Sequence, residues 1–519
     1  MKKKSTARSA FFTPRGLATL IVCAAACFIV TGTLLAFLRA EAPTNIITVT
    51  NTNDSGPGSL RQALVDANDG DEITFAVTGT ITLTSGELLV NHSINISGPG
   101  SANLAVNGNG SHRVFHVSSG QTVTISDLMI SNGNDYNAGG IYNDGATLTV
   151  NDCVFTANSG GGYGGGGIMN DGSNANANLT VNNCLFDGNS ADFLGGGILN
   201  FTTSSTTANL TVSNCTISNN SADDGGGIVS YPGFDGTATA IVSDTTMTGN
   251  SAEFGRGGAI HNDAVFVGGS ATLTVSSCTI SNNSAYFSGG GIGNSAGNLQ
   301  ISNCTFSGNS AGSGGGVYTE YDEAEVHISN STLSGNSAAS GGGIYSQEQV
   351  TVTVTNSTLT GNSANSGGGI YYDFDGSSGG TVILANTVLK TGASGENIYN
   401  FGGQVVSQGY NLSNDNGSGF LTGPGDQINT DPVLGPLQNN GGPTFTHALL
   451  PGSPAIDAGD PNFTPPPLYD QRGPGFDRVV NGRIDTGSFE VQGPTPTPTP
   501  CTGRCTPTPR PRPTPAPRP

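Results

Sequence analysis

Between Leu148 and Val354 the chain alternates apolar and polar residues in short bursts, among them Leu148-Thr149-Val150, Leu179-Thr180-Val181, Leu210-Thr211-Val212 and Leu273-Thr274-Val275. A period of two places one side of a β-strand in a core and the other in water. Each burst ends in a slip of phase: after Val181 the inward positions are Cys184 and Phe186. A one-residue slip turns the strand over, so a corner is expected at Asn182-Asn183. The residue before the Cys position is Asp152, Asn183, Asn214, Asp244, Asn303, Asn330 or Asn356. Such side chains tolerate positive φ and bond their own backbone. A second asparagine, Asn189 in that copy, marks another corner. A glycine run ending in Ile198 then supplies a third short inward strand.

The pattern is a repeat. Asn158, Asn189, Asn220, Asn250, Asn283, Asn309, Asn336 and Asn362 each open an Asn-Ser-Ala or Asn-Ser-Gly step, at spacings of 31, 31, 30, 33, 26, 27 and 26 residues. Three strands and three corners per copy make one coil, and stacked coils pair at the ordinary interstrand spacing of ~4.8 Å. Like residues then lie above one another as ladders. The expected fold is all-β: a right-handed single-stranded parallel β-helix, a pectate-lyase-like solenoid over residues 79–425. Helical solenoids need an apolar 3.6 period that the copies lack. Propeller blades need ~40 residues, more than the shorter copies hold.

The copies resemble the repeats of chlamydial polymorphic outer membrane proteins. The Gly-Gly-Ala-Ile motif stands here as Gly257-Gly258-Ala259-Ile260, and the Phe-x-x-Asn motif as Phe155 to Asn158, Phe186 to Asn189 and Phe306 to Asn309. That resemblance implies a surface β-helix, often adhesive. The terminal translocator barrel of that family has no counterpart in the sequence given.

The open ends of a β-helix need cover. Residues 44–78 read as an N-terminal cap: a strand at Ile46 to Val49, then a short helix with Ser59 as N-cap and Gln62 completing a capping box. Leu60, Ala63, Leu64 and Ala67 share one helical face. The segment Ser55 to Ala63 resembles the CSLREA-type N-terminal region of exported bacterial β-helix proteins, without its leading Asp-Cys. Residues 426–492 resemble the choice-of-anchor Q region, through Asp431 to Leu437, Asn440 to Pro443, His447 to Gly459 and Arg483 to Glu490. That resemblance implies an exported protein. Asp457, Arg472, Arg483 and Asp485 are expected to form stabilising ion pairs there.

The 519-residue chain has a net charge of −20, 80 glycines and no tryptophan. Of 17 basic residues, six precede Pro43 and four follow Gly493, so the body is more acidic than the whole. An acidic body does not suit nucleic acid. Lys2, Lys3, Lys4, Arg8 and Arg15 precede an apolar stretch from Leu17 to Leu38. Residues 1–42 therefore read as a cleaved secretory signal, with an uncleaved membrane anchor as the alternative. Both imply a secreted or cell-surface protein. Residues 493–519 form a Pro/Thr-rich spacer in which Cys501 and Cys505 can close a loop or cross-link chains.

Cys153, Cys184, Cys215, Cys278 and Cys304 share one repeat position, which other copies fill with Thr245, Ser331 or Ser357. A ladder spreads thiols along an axis instead of converging them on a metal, so these are expected to be buried and reduced. The loop after Asn-Ser-Ala carries Asp192-Phe193-Leu194, Asp223-Asp224, Glu253-Phe254 and Tyr286-Phe287, and shrinks in later copies. Asp192, Phe193, Asp224, Glu253, Phe254, Tyr286 and Phe287 are a candidate binding stripe, with the solvated acidic loop as the alternative. Asp192, Asp224 and Glu253 are candidate calcium ligands; no cofactor is required. The functional expectation is a noncatalytic adhesive or structural protein whose partner is an extracellular glycan or a surface protein. The alternative is a polysaccharide lyase or glycoside hydrolase, for which Asp223, Asp224, Arg256 and His261 are the candidate catalytic groups.

Overall fold

The computed structural model describes residues 45–203, 205–321, 324–374 and 380–493. The signal or anchor segment of residues 1–42, and Cys501 and Cys505, lie outside them. Among the described residues no helix is long and apolar enough to cross a membrane.

The chain winds as a right-handed parallel β-helix. Ala177–Asn182 lies in a 14-stranded sheet A, Leu185–Asp187 in a 13-stranded sheet B and Ile198–Thr202 in a 12-stranded sheet C. The Ser-Ala steps, such as Ser190–Ala191, form an eight-stranded sheet D that the three-strand reading missed. Two residues are too few to show a period of two, which is why the alternation does not reveal them. Like residues pair with like: Leu148 with Leu179, Leu179 with Leu210, Ile198 with Ile228.

The corners follow the asparagines. Asp152, Asn183, Asn214, Asp244, Asn303, Asn330 and Asn356 all have φ near +50°. The second asparagine row turns inward instead. Asn158, Asn189, Asn220, Asn250, Asn283, Asn309, Asn336 and Asn362 are buried to within 1% exposure. Asn189 Nδ2 donates to Asn220 Oδ1 at 2.9 Å and to the Phe155 carbonyl at 3.0 Å, and its backbone N–H meets the same Oδ1 at 2.9 Å. The motif continues unbroken to Asn362.

The five repeat cysteines are free and buried. Each is one rung of a mixed ladder: the Cys153 N–H donates to Cys184 Sγ at 3.4 Å, and the Cys215 N–H to Thr245 Oγ1 at 3.3 Å. Contact with Cys153, together with burial, pushes the Cys184 thiol above its ordinary range. Burial and the neighbouring Cys278 do the same to Cys304.

At the N-terminal end, helix α1 (Leu60–Asp66) buries Leu60, Ala63 and Leu64 in the same core as the first coil. Ser59 Oγ accepts the Gln62 N–H at 3.2 Å, but the capping box is half made. Gln62 Nε2 donates to Asp66 Oδ1 at 2.8 Å, and the Ser59 N–H is already taken by the Gly56 carbonyl.

The segment after Gln427 does not cap the far end of the stack. Leu434–Gln438 and Thr446–Leu449 pair antiparallel, and most of the remainder is loop laid along the outer side of sheet B. Gln471 Nε2 donates to Thr305 Oγ1 at 2.9 Å, and Thr332 Oγ1 to Gln471 Oε1 at 2.6 Å. The Ser488 N–H donates to Thr358 Oγ1 at 3.1 Å. Of the four ionic residues expected to pair, Arg472 does so, with Asp470 at 2.5 Å. Arg483 instead donates to the carbonyls of Gly459 and Ala458, and Asp485 accepts the N–H groups of Asp457 and Val491. Loops without a ladder leave backbone groups that need partners, and these side chains supply them. Burial, aided by Asp485, pushes the Glu490 carboxyl up to about 8.

Two outcomes are expected. Replacing Asn220 with Leu strands buried donors and acceptors on both neighbouring coils, and a loss of about 1–3 kcal/mol is expected from a shifted urea midpoint. Thr274→Ser on the outer face leaves that midpoint unchanged. The five repeat thiols are expected to stay unmodified by a maleimide in native protein and to react together once urea unfolds the stack. Mass spectrometry that found Cys184 linked to Cys215 in native protein would contradict this.

Candidate functional site

Sheet C builds the floor of a groove. Its strands alternate, with Ile198, Ile228, Ile260, Ile292 and Val317 pointing into the core together with Asn200, Asn262 and Asn294. The residues between them face outward in two rows. One row runs Leu199, Val229, His261, Gly293, Tyr318, Tyr345, Tyr371, Tyr399. The second contains Phe201, Tyr231, Asp263, Ser295 and Glu320. Although they face outward, Leu199 and Val229 are fully buried and form a small cluster separate from the main core. The walls that cover them are the loops after Asn-Ser-Ala on one side and the loops that follow each sheet C strand on the other.

Over the middle coils this groove widens into a cavity of about 390 Å³, bordered by Tyr163, Phe193, Asp223, Asp224, Tyr231, Arg256, Asp263 and Phe266. A second hollow of about 320 Å³ adjoins it, between Phe201, Tyr231, Phe234 and Phe266. The rings brace each other. Tyr163 stacks on Phe193 at 5.5 Å, Phe201 on Tyr231 at 5.6 Å, and Phe266 meets Phe234 edge-on at 5.0 Å. Yet Tyr163 is 58% exposed and Phe234 59%. Towards the C-terminal coils the floor becomes a run of stacked tyrosines: Tyr318 on Tyr345 at 5.2 Å, Tyr345 on Tyr371 at 4.9 Å, Tyr371 on Tyr399 at 4.8 Å.

The charged groups at the cavity form a network. The Arg256 guanidinium pairs with the buried Glu320 and donates to Ser295 Oγ at 3.2 Å. Burial opposes its charge, but Glu320 and Tyr318 hold it above its ordinary value. Asp224 Oδ1 accepts the Arg256 backbone N–H at 2.6 Å and lies 3.6 Å from His261 Nδ1. His261 is 3% exposed and its Nδ1 makes no hydrogen bond. Asp223 is half-buried and its carboxylate accepts no hydrogen bond among the described residues; burial, Asp224 and Asp192 together raise its carboxyl. Burial, with Asp263 nearby, pushes the Tyr231 hydroxyl up to about 12.

The candidate catalytic set, Asp223, Asp224, Arg256 and His261, is thus gathered at one cavity. The candidate stripe is divided. Phe193 borders the cavity, while Asp192, Glu253, Phe254, Tyr286 and Phe287 stand on the exposed rim, the last two rings edge-on at 4.9 Å. Asp192, Asp224 and Glu253 are not gathered as calcium ligands: no group of three or more His, Cys, Asp or Glu among the described residues is placed to hold a metal ion. The reason is register. Phe193 is an extra residue in its coil, so Asp224 pairs with Leu194 and turns inward. It is Asp223 that follows Ala222 as Glu253 follows Ala252, the two alanines being paired. Tyr163, Tyr231, Asp263, Phe266, Tyr318 and Glu320 went unremarked in the sequence. Their signal is the long stretch from the glycine-run isoleucine to the next strand, Ile260 to Leu273, against the short Ile292 to Leu299.

Residues 233–405 match the family described as the right handed beta helix region. A search of the curated proteins finds no match. Among solved structures the chain is similar to the catalytic unit of a thermostable GH87 alpha-1,3-glucanase from Streptomyces thermodiastaticus strain HF3-3, with 17% identity over 71% of this chain and 69% of that one and a TM-score of 0.46. It is also similar to a PL6 alginate lyase, at 11% identity over 80% and 93% with a TM-score of 0.44, and to pectate lyase Pel9A, at 14% over 87% and 97% with a TM-score of 0.36. The protein is a right-handed parallel β-helix protein. At these identities no residue's role is carried across.

Arg256 and Glu320 are expected to be coupled. Arg256→Gln leaves the buried Glu320 carboxylate without its cation, though still bonded to Ser295 and Tyr318, and costs about 1–3 kcal/mol. The double variant with Glu320→Gln recovers part of that in thermal unfolding; a loss in the double variant equal to the sum of the two single losses would show no coupling.

Proposed function

We propose that this is an exported β-helix protein that binds an extracellular glycan along the sheet C groove. The observation that carries the reading is the set of rings bordering the cavity, the exposed Tyr163, Phe193 and Phe234 and the partly buried Phe266, fixed in place by ring–ring contacts. Exposed apolar surface in a concave, pre-formed site is where a ligand recovers solvation energy. The C–H faces of sugars stack on such rings, while the carboxylates and hydroxyls beside them accept and donate hydrogen bonds. An extended polymer fits a groove that runs from coil to coil. Export rests on the basic and apolar segment from Met1 to Leu38.

A second reading is chain cleavage, favoured by the meeting of Asp223, Asp224, Arg256 and His261 at the same cavity. The pairing of Arg256 with Glu320, and of Asp224 with a backbone N–H, weighs against it, because both groups are occupied.

The test is calorimetric titration of oligosaccharides of differing linkage against residues 45–493, with and without calcium. Binding is expected to fall about fivefold in Phe266→Ala and in Phe193→Ala, each ring being worth roughly 1 kcal/mol. A reducing-end and unsaturated-product assay on the same mixtures separates the two readings: products formed by the wild type and lost in Asp223→Asn support cleavage. Unchanged affinity in both ring variants would remove the groove as the site.

A further inference from the structure

The groove's charge carries a conclusion about which glycan fits it. We infer that the groove accepts a chain of uncharged or amine-bearing sugars and rejects a chain with a carboxylate on every sugar. Asp223 and Asp263 inside the cavity, with Asp192 and Glu253 at its rim, are the specificity-determining residues. This rests on the reading of the groove as a glycan site.

Three carboxylates border the cavity, Asp223, Asp224 and Asp263, against one cation, Arg256. That cation is committed. It pairs with Glu320, donates to Ser295 and lies over the Tyr318 ring at 5.9 Å. The buried His261 offers no substitute, because its unbonded Nδ1 faces Asp224 at 3.6 Å and a proton there would pair with Asp224. A uronate entering the cavity therefore meets unpaired Asp223 and no free positive group among the described lining residues. Nor do the described carboxylates gather as a calcium site that would bridge it.

The geometry extends the effect along a polymer. Asp192, Asp223 and Glu253 belong to successive coils: Ser190 pairs with Ser221, Ala222 pairs with Ala252, and the Glu253 N–H donates to the Ala222 carbonyl. Coils rise by ~4.8 Å, close to the advance of one sugar in an extended chain. Each further uronate thus meets a further carboxylate, and sliding by one unit brings no relief. An ammonium at the same spacing meets an attractive partner at each step. Like charges at this separation repel measurably even in water, and more where water is partly excluded.

The experiment compares β-1,4-linked hexasaccharides of glucose, glucosamine and glucuronate, titrated into the full-length protein at low salt with EDTA. The glucose and glucosamine chains are expected to bind, and the glucuronate chain at least about tenfold more weakly. Raising salt to about 0.5 M narrows the gap, as screening requires. Asp223→Asn with Glu253→Gln narrows the ratio of glucose-chain to glucuronate-chain affinity at low salt. Glucuronate binding as tight as glucose binding, or an unchanged ratio in the double variant, overturns the inference and leaves the glycan site standing. Tight glucuronate binding that appears on adding calcium also overturns it. Failure of all three chains to bind overturns the glycan site, and the inference with it.

Discussion

Everything in this protein hangs on one buried row of amides. At the corner between sheets B and D the backbone turns inward, and its N–H and carbonyl groups lie away from water. A buried amide group left unmatched costs about 1–3 kcal/mol. The asparagine side chain matches both needs at once. In each rung Oδ1 takes the backbone N–H and Nδ2 of the coil before it, and Nδ2 also reaches a carbonyl of that preceding coil, as Asn220 does to Phe186. No other side chain of that length both donates and accepts in this way. A coil that shifted by one residue would break its rungs above and below, so the row fixes register for all four sheets.

Register, in turn, makes the groove. Because Ile198, Ile228 and Ile260 are held in line, the residues next to them fall into rows, and the outer side of sheet C becomes a continuous floor. The sequence varies what is free to vary: the loops on either side, and the outward positions. Rings and carboxylates collect where both loops are long, and a tyrosine stack takes over where they shorten. A single inserted residue, Phe193, is enough to send Asp224 inward against Arg256 and leave Asp223 facing the cavity.

Much of this could be read from the chain alone. Alternation, the one-residue slip and the spaced asparagines specify coils, because each records a local constraint that every copy repeats. The glycine-run strand reads less clearly, since both of its faces are covered and a period of two loses its contrast. That is why Tyr231, Asp263 and Glu320 escaped notice while the more polar opposite wall did not. Asp224 was placed in the wrong row because sequence spacing counts residues, whereas stacking counts paired positions. The docking of the C-terminal segment was illegible for another reason. Its contacts, such as Thr332 with Ser488, join residues far apart in the chain and show no period.

The hydrogen bonds between coils, the asparagine rungs among them, point along the axis of the stack. A pull between its two ends therefore loads every bond of one coil side by side, while the coils themselves lie in series. The weakest junction sets the strength, and the others need not stretch before it parts. A shear across the axis meets the covalent chain instead, which winds around each turn. Such a body is strong across its grain and cleaves along it, as layered solids do, and the C-terminal segment, held to Thr305 and Thr332 through Gln471 and to Thr358 through Ser488, lies where it bridges several junctions at once.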